Sequence, residues 1–148
     1  MKEIYYVYNN EAISSCIFLS ILNHIGRLNI ARSCLILPFL LDDRTINYLT
    51  NNESINLEEF VREQPRLFVS FNKRYLSLLP VAINSLMLLS KSNKIRIEND
   101  IVSNKFIQFS EQDFGDRFSK INNVVPNFLE MINSYSTTQL YKILNVQL

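Results

Sequence analysis

The chain has 148 residues, of which 47% are hydrophobic and 20% charged, which is the size and balance of one globular domain with a real core. Fifteen basic and fourteen acidic residues leave a net charge of +1, which excludes a general attraction to nucleic acid. The longest apolar run, residues 35–41, is far shorter than the roughly 20 residues that span a bilayer. We therefore expect a cytoplasmic protein without membrane contact.

The chain begins with a short strand or extended arm at residues 2–8, followed by a helix over residues 11–28 whose apolar residues share one face. Residues 33–41 could form a buried strand or a helix interrupted by Pro38, because periodicity does not decide so short a run. We favour helix, and predict helical structure over residues 34–50.

The centre of the chain predicts further helix over residues 57–90. Asn56 and Glu59 form a capping box at its start, and Pro65 suits the first turn of the next helical segment. Pro80 should kink or divide this segment, since it lacks an amide proton. Residues 81–89 are apolar on nearly all sides, which predicts that they are buried.

A β-hairpin is predicted at residues 94–109, with alternating strands at residues 94–97 and 105–109 and a turn at residues 98–100. Helices should follow at about 116–133 and 137–145. Helices followed by a hairpin are typical of winged-helix domains. The predicted fold is therefore mainly α with a small β-hairpin (α+β), in one winged-helix-like domain over residues 1–148.

The sequence offers little for catalysis. His24, the only histidine, falls on an apolar helix face and is interpreted as a core residue. Cys16 and Cys34 stand in apolar surroundings without metal-ligand spacing, so we expect buried, reduced thiols. Asp42 and Asp43 lack a third oxygen ligand nearby and fit a helix cap better than a metal site. We predict a protein that is not an enzyme, with no catalytic residue, metal or cofactor.

Two surfaces are candidates for binding a protein partner. Tyr5, Tyr6 and Tyr8 precede the first helix, and aromatic side chains concentrate binding energy at interfaces. Arg66 and Lys73 are expected to share the exposed face of the central helix. The tyrosines could instead complete the core, and the basic pair could simply be solvated.

The alternative function is that of a winged-helix DNA-binding regulator. Lys94, Arg96 and Lys105 on the hairpin would then contact phosphates. Acidic residues interleave with the basic ones along this part of the chain, which favours an ordinary solvated surface. A third possibility is a structural protein that buries its surplus apolar surface in a homodimer.

Three stretches carry a resemblance to a known family: LILPFLLDDRTINYL (35–49), residues 57–89, and YKILNVQL (141–148). They resemble the middle component of three-component ABC-ATPase systems of the Lamassu-type anti-phage defences. The family pattern has an Asn-Pro-Ala helix start, a Leu-x-Leu-Pro segment followed by Thr-Arg-x-x-Leu, and a Leu-Gly-Val tail. The matching positions here are Asn10-Glu11-Ala12, Leu35-Ile36-Leu37-Pro38, Arg44-Thr45 with Leu49, and Leu144-Asn145-Val146.

The resemblance implies a non-catalytic accessory subunit that links an SMC-like (Rad50-like) ABC ATPase to an effector such as a nuclease, both encoded in the same operon. Its position is similar to that of the winged-helix accessory proteins of bacterial condensins. ATP and DNA would be handled by the ATPase, so the subunit would meet DNA only indirectly or weakly. It also adds Arg44, in the Arg44-Thr45 match, to the candidate partner-binding residues.

Overall fold

The computed structural model describes residues 10–109 and 111–147, and for residues 111–114 the backbone alone. The helices are α1 (Glu11–Ile25), α2 (Ile30–Ser33), α3 (Ile36–Leu40), α4 (Asp43–Asn51), α5 (Leu57–Glu63), α6 (Pro65–Val69), α7 (Phe71–Lys91), α8 (Glu111–Asn133) and α9 (Thr137–Ile143). The strands are β1 (Arg27–Leu28), β2 (Ile95–Ile97) and β3 (Ile101–Ser103). The strand or arm predicted at residues 2–8 lies outside the described residues.

The helix starts that the sequence predicts are made by side-chain caps. The Asn10 carboxamide oxygen accepts hydrogen bonds from the amides of Ala12 (2.9 Å) and Ile13 (3.2 Å) at the start of α1. At the start of α9, Ser136 and Gln139 form a reciprocal capping box with bonds of 3.1 and 2.7 Å. Because these contacts are local in sequence, they are recognisable before the fold is known.

Two of the predicted helical ranges are divided in the structure. The range 34–50 contains α3 and α4, which are separated at Leu41 and Asp42. The range 57–90 contains α5, α6 and α7, with breaks at Gln64 and Ser70. Pro80, which was expected to kink or divide the helix, does not divide it: it lies inside the continuous helix α7. The first predicted helix, 11–28, ends at Ile25, after which Gly26 adopts a φ of 71°.

In the part of the chain that the structure describes, the sheet has three antiparallel strands in the order β1-β3-β2. β2 lies where the sequence predicts a strand, and the turn at residues 98–100 is closed by the Glu98 amide bonding the Asp100 carbonyl at 2.9 Å. The second predicted strand, 105–109, is wrong: the chain already pairs at β3, with Ile97 opposite Ile101. β3 also pairs with β1, where Leu28 lies opposite Ile101.

The fold class predicted from the sequence, mainly α with a small β region in a single domain, is confirmed. The short strand after the first helix and the hairpin after the long helix α7 are compatible with a winged-helix arrangement, which stays a prediction. None of the described helices is both long and apolar enough to cross a membrane.

The core is centred on Phe39 of α3, which is 1% exposed. Its ring lies 4.9 Å from that of Phe71, 5.2 Å from that of Phe128 and 6.2 Å from that of Phe68, measured between centroids. These contacts join α3 to α6, α7 and α8. Aromatic pairs at such distances add to the free energy gained by burying their area. The short helix α3 is therefore held by its neighbours more than by its own hydrogen bonds.

Helix α9 is followed by a residue with a left-handed backbone conformation, Asn145. Asn145 has a φ of 54°, in the left-handed region that glycine adopts most easily. The Val146 amide bonds the Tyr141 carbonyl and the Asn145 amide bonds the Lys142 carbonyl, both at 3.1 Å. This is the Schellman pattern of a helix C-terminus, and asparagine is the residue that best tolerates it after glycine.

We predict that Asn145→Ala lowers the free energy of unfolding by about 1 kcal/mol relative to Asn145→Gly, because alanine is strained at positive φ. Both substitutions remove the same exposed carboxamide, so the pair isolates the backbone conformation. Urea unfolding followed by circular dichroism measures the difference. Equal stability of the two variants would contradict the assigned cap.

Candidate functional site

The predicted partner-binding residues do not form one site in the described structure. Tyr5, Tyr6 and Tyr8 lie outside the described residues. Arg66 and Lys73 are both exposed, but they belong to different helices, α6 and α7, so the prediction that they share a face of one helix is wrong.

The break between α6 and α7 has a local cause. The Leu67 carbonyl accepts hydrogen bonds from the Ser70 hydroxyl (3.2 Å) and from Arg74 Nη1 (2.8 Å). Side-chain donors of this kind compete with the backbone amides of a helix. Arg74, which provides one of these donors, is itself mostly buried, with only 15% of its side chain exposed. The sequence pattern alone could not show this competition.

Arg44 belongs to a charged cluster around the N-cap of α4. Asp42 caps the helix by accepting from the Arg44 amide at 2.9 Å, as the sequence predicts. Arg44 Nη2 lies 2.8 Å from one Asp42 carboxylate oxygen, and Arg74 Nε lies 3.3 Å from the same oxygen. Asp43 lies 3.7 Å from Arg117 Nε and is well exposed. The guanidinium of Arg44 is thus already engaged with Asp42, although half of its side chain remains accessible.

The electrostatics of Asp42 follow from two opposing effects. Burial raises the pKa of this carboxyl, while hydrogen bonds from Arg44 and the charges of Arg74 and Arg44 lower it, and the net result is a pKa below its ordinary value. The carboxylate form is therefore the one that the fold stabilises. The contacts of Asp42 with Arg44 and Arg74 connect α3, α4 and α7, and we interpret them as structural.

His24 is placed differently from its prediction. It is exposed in the last turn of α1, and its Nδ1 lies 2.9 Å from the Ser20 carbonyl oxygen. The expected core position is therefore wrong. The buried part of α1 ends before its last turn, where His24 lies. Cys16 and Cys34 are free and half-buried, and burial raises the pKa of both thiols, so the protonated form is favoured.

The basic residues of the hairpin are spread out and mixed with acids. Arg96 on β2 is exposed and lies 3.8 Å from Glu98. Lys94 is half-exposed just before β2, and Lys105 is exposed after β3, outside the sheet. The exposed faces of the hairpin therefore carry both signs of charge.

The surface that the sequence interpretation missed is the outer face of α7. The prediction that residues 81–89 are buried on nearly all sides is wrong, because several large apolar side chains of this helix are half-exposed. They are Leu76 (54%), Ile83 (52%), Met87 (50%) and Leu88 (54%). Pro80, between them, is also exposed. The inner side of the same helix is buried, including Tyr75, Leu78, Ala82 and Leu89.

A signal for this surface was present in the sequence. Leu76, Pro80, Ile83 and Met87 follow one another at steps of four, three and four residues, which places them on one face of a helix. A second apolar set with its own helical period lies on the other side. Two apolar faces on one helix can mean burial on both sides or one side left for a partner, and only the tertiary packing distinguishes these cases.

Within residues 10–109 and 111–147, no group of three or more His, Cys, Asp or Glu side chains is placed to hold a metal ion. The outer face of α7 places several half-exposed apolar side chains on one helix. Fold and surface together define a small, mainly α protein with a three-stranded sheet and an exposed apolar helix face.

The chain matches, over residues 2–147, the family described as ABC-three component (ABC-3C) system Middle Component 3, and it belongs to that family. It is therefore a middle component of a multi-component ABC system. No curated protein and no solved structure gives a significant match.

We predict that Asp42→Asn lowers the free energy of unfolding at pH 7 by about 2 kcal/mol, since asparagine keeps the cap but leaves the buried Arg74 without its carboxylate. The pKa of Asp42 is depressed in the folded state, so its stabilisation is present above the unfolded pKa and is lost as the pH falls through the folded pKa. The difference between the two proteins should shrink in acid, below about pH 4.

Urea unfolding at pH 7 and in the acid range tests this expectation. Asp43→Asn is the matched control, because Asp43 is 80% exposed and its loss should change stability by no more than about 0.5 kcal/mol. A difference for Asp42→Asn that stays constant across the pH range would show that the charge of Asp42 is not responsible.

Proposed function

We propose that the protein is a non-catalytic accessory subunit that links an SMC-like (Rad50-like) ABC ATPase to an effector subunit, such as a nuclease, in bacterial anti-phage defence. Membership in the ABC-3C middle-component family is the observation that carries this proposal. Three further parts of the proposal rest on the sequence: the Lamassu type on the family resemblance, the winged-helix character on the order of helices and hairpin, and the cytoplasmic location on the cysteines and the short apolar runs.

The described structure supports a role in binding proteins. The outer face of α7 leaves four large apolar side chains about half-exposed. Contiguous exposed apolar surface of this kind is typical of protein interfaces. The earlier candidates Arg44, Arg66 and Lys73 remain proposed contacts, as do Tyr5, Tyr6 and Tyr8, which are outside the described residues.

The alternative, a DNA-binding regulator, has less support. In a winged-helix reader the helix before the wing enters the major groove with polar and basic side chains. Here that helix would be α7, whose outer face carries Leu76, Ile83 and Met87. Arg96 on the hairpin lies 3.8 Å from Glu98, and Arg27 on the neighbouring strand β1 lies 3.5 Å from Asp100 of the hairpin turn.

We predict that the tagged protein, co-expressed with its operon neighbours, recovers the ABC ATPase and the effector in one complex. The pure subunit should hydrolyse neither ATP nor nucleic acid, while the complex should hydrolyse ATP. Affinity purification followed by sedimentation and activity assays gives the answer. Metal-dependent hydrolysis by the pure subunit that Asp42→Asn and Asp43→Asn abolish would refute the non-catalytic assignment.

The same purification tests the basic contact candidates. Arg66→Ala should reduce recovery of a partner, since truncating an interface hot spot lowers affinity by about 30-fold. Arg62→Ala is the matched control, because Arg62 is also an exposed arginine, on the neighbouring helix α5. Equal recovery with both variants would remove Arg66 from the interface.

For DNA we predict only weak, sequence-independent binding by the isolated subunit, in the range of about 10⁻⁴ to 10⁻⁶ M or weaker. Gel shifts across a salt series, with the wild type and a Lys94→Ala/Arg96→Ala/Lys105→Ala variant, measure it. Tight binding that falls steeply with salt and is lost in this variant would favour the DNA-binding regulator instead.

A further inference from the structure

The outer face of α7 has the geometry of one half of a helix pair. Leu76, Pro80, Ile83 and Met87 recur at alternating steps of four and three residues, which is the spacing of the a and d positions of a coiled-coil heptad. From Leu76 to Met87 the stripe is about 16 Å long at 1.5 Å per residue. A partner helix of about three turns would cover it. We call these four residues the α7 stripe.

The charged residues that α7 itself places near the ends of the α7 stripe are basic. Lys73 lies three residues before Leu76 and Lys91 four residues after Met87, so that an exposed lysine stands at each end. Helix α7 contains no Asp or Glu. In the described part of the chain, neither lysine makes an ion pair. A lysine without an ion-pair partner among the described residues therefore stands at each end of the α7 stripe.

One carboxylate approaches this face from another helix. Glu11, at the start of α1, lines a shallow depression with Asn84, Met87, Leu88 and Lys91. Its carboxylate accepts a hydrogen bond from the Asn84 side chain at 3.3 Å. The N-terminal half of the α7 stripe, beside Lys73, lies well away in sequence from this acid. Glu11 is therefore an acidic neighbour of the Lys91 end of the α7 stripe.

A second copy of the chain suits this face poorly. If two copies of α7 paired in antiparallel orientation, Lys73 of one copy would approach Lys91 of the other. In parallel orientation each lysine would approach its own equivalent. Both orientations bring like charges together beside the apolar contact, which is destabilising. The charge pattern instead favours a different helix that carries acidic residues beside its apolar positions.

We propose that the α7 stripe docks an amphipathic helix with a heptad-spaced apolar face flanked by acidic residues, supplied by another component of the ABC system. This inference rests on the proposed accessory function, because it names the partner chemistry that the subunit would bind. The partner's apolar side chains pack between Leu76, Ile83 and Met87, and its carboxylates pair with Lys73 and Lys91.

A designed peptide tests the chemistry without knowledge of the partner. The probe is a three-heptad peptide of about 21 residues, with Leu at a and d and Glu at e and g, compared with the same peptide carrying Lys at e and g. Binding to the full chain is measured by fluorescence anisotropy at low salt. The Glu peptide should bind about tenfold more tightly than the Lys peptide, a difference that decreases as salt is added.

Two variants locate the binding surface. Ile83→Glu places a carboxylate in the α7 stripe and should weaken binding of the Glu peptide by about tenfold or more. Phe106→Glu is the matched control, because Phe106 is an exposed apolar residue elsewhere, 72% accessible, and its substitution should leave binding unchanged. Both positions are exposed, so both variants should keep the wild-type circular dichroism spectrum and melting temperature.

Equal binding of the two peptides, or equal effects of the two substitutions, would overturn the inference. So would a dimer of the chain alone, seen in sedimentation, that Ile83→Glu dissociates, since the occupant would then be a second copy.

The native complex separates this inference from the proposed function. Loss of a partner from the purified complex with Ile83→Glu but not with Phe106→Glu supports the docking site. If both variants recover all partners, the docking inference fails and the accessory function stands. If the wild type recovers no partner, the accessory function fails, while the peptide measurements still decide the chemistry of the face.

Discussion

The arrangement of the helices depends on one buried guanidinium group, that of Arg74. It donates to the Pro38 carbonyl at 3.2 Å and to the Leu67 carbonyl at 2.8 Å, and it lies 3.3 Å from the Asp42 carboxylate. These acceptors belong to the short helices α3 and α6 and to the cap of α4, while Arg74 itself is on α7. A charge at 15% exposure is tolerated only because it is paired and hydrogen-bonded. The four helices are thus fixed relative to one another by a single side chain, next to the ring cluster around Phe39.

This constraint determines which side of α7 remains outside. With Arg74 and Phe71 directed into the domain, the helix must bury Tyr75, Leu78 and Ala82, and it must expose the side that carries the α7 stripe. The domain thereby presents apolar surface without loss of its own core, which is what an accessory subunit of a larger assembly needs. Family membership and the exposed apolar face of α7 both support the proposed role in binding other components of the system.

Sequence reasoning succeeded where the determining contacts are short in sequence. The caps at Asn10, Asp42 and Ser136 form with amides two or three residues away, and the turn at residues 98–100 closes on itself. Prediction from the sequence failed where a residue far away in the chain competes with a local hydrogen bond or supplies a strand partner. The helix predicted across Ser70 is broken with the help of Arg74, and β1 exists because β3 supplies its partner, more than seventy residues further along the chain.

The helical fold class and the helix starts could be predicted from the amino-acid sequence, since local hydrogen bonding and apolar periodicity involve neighbouring residues, and the likeness to the ABC-3C middle components was visible in short stretches of sequence. Only the tertiary structure decided that His24 is exposed, that the second hairpin strand is Ile101–Ser103, and that α7 buries one of its apolar faces and exposes the other. The physical reason is that a periodic pattern records which residues share a face, whereas the free energy of burying that face depends on whether another part of the chain is there to cover it.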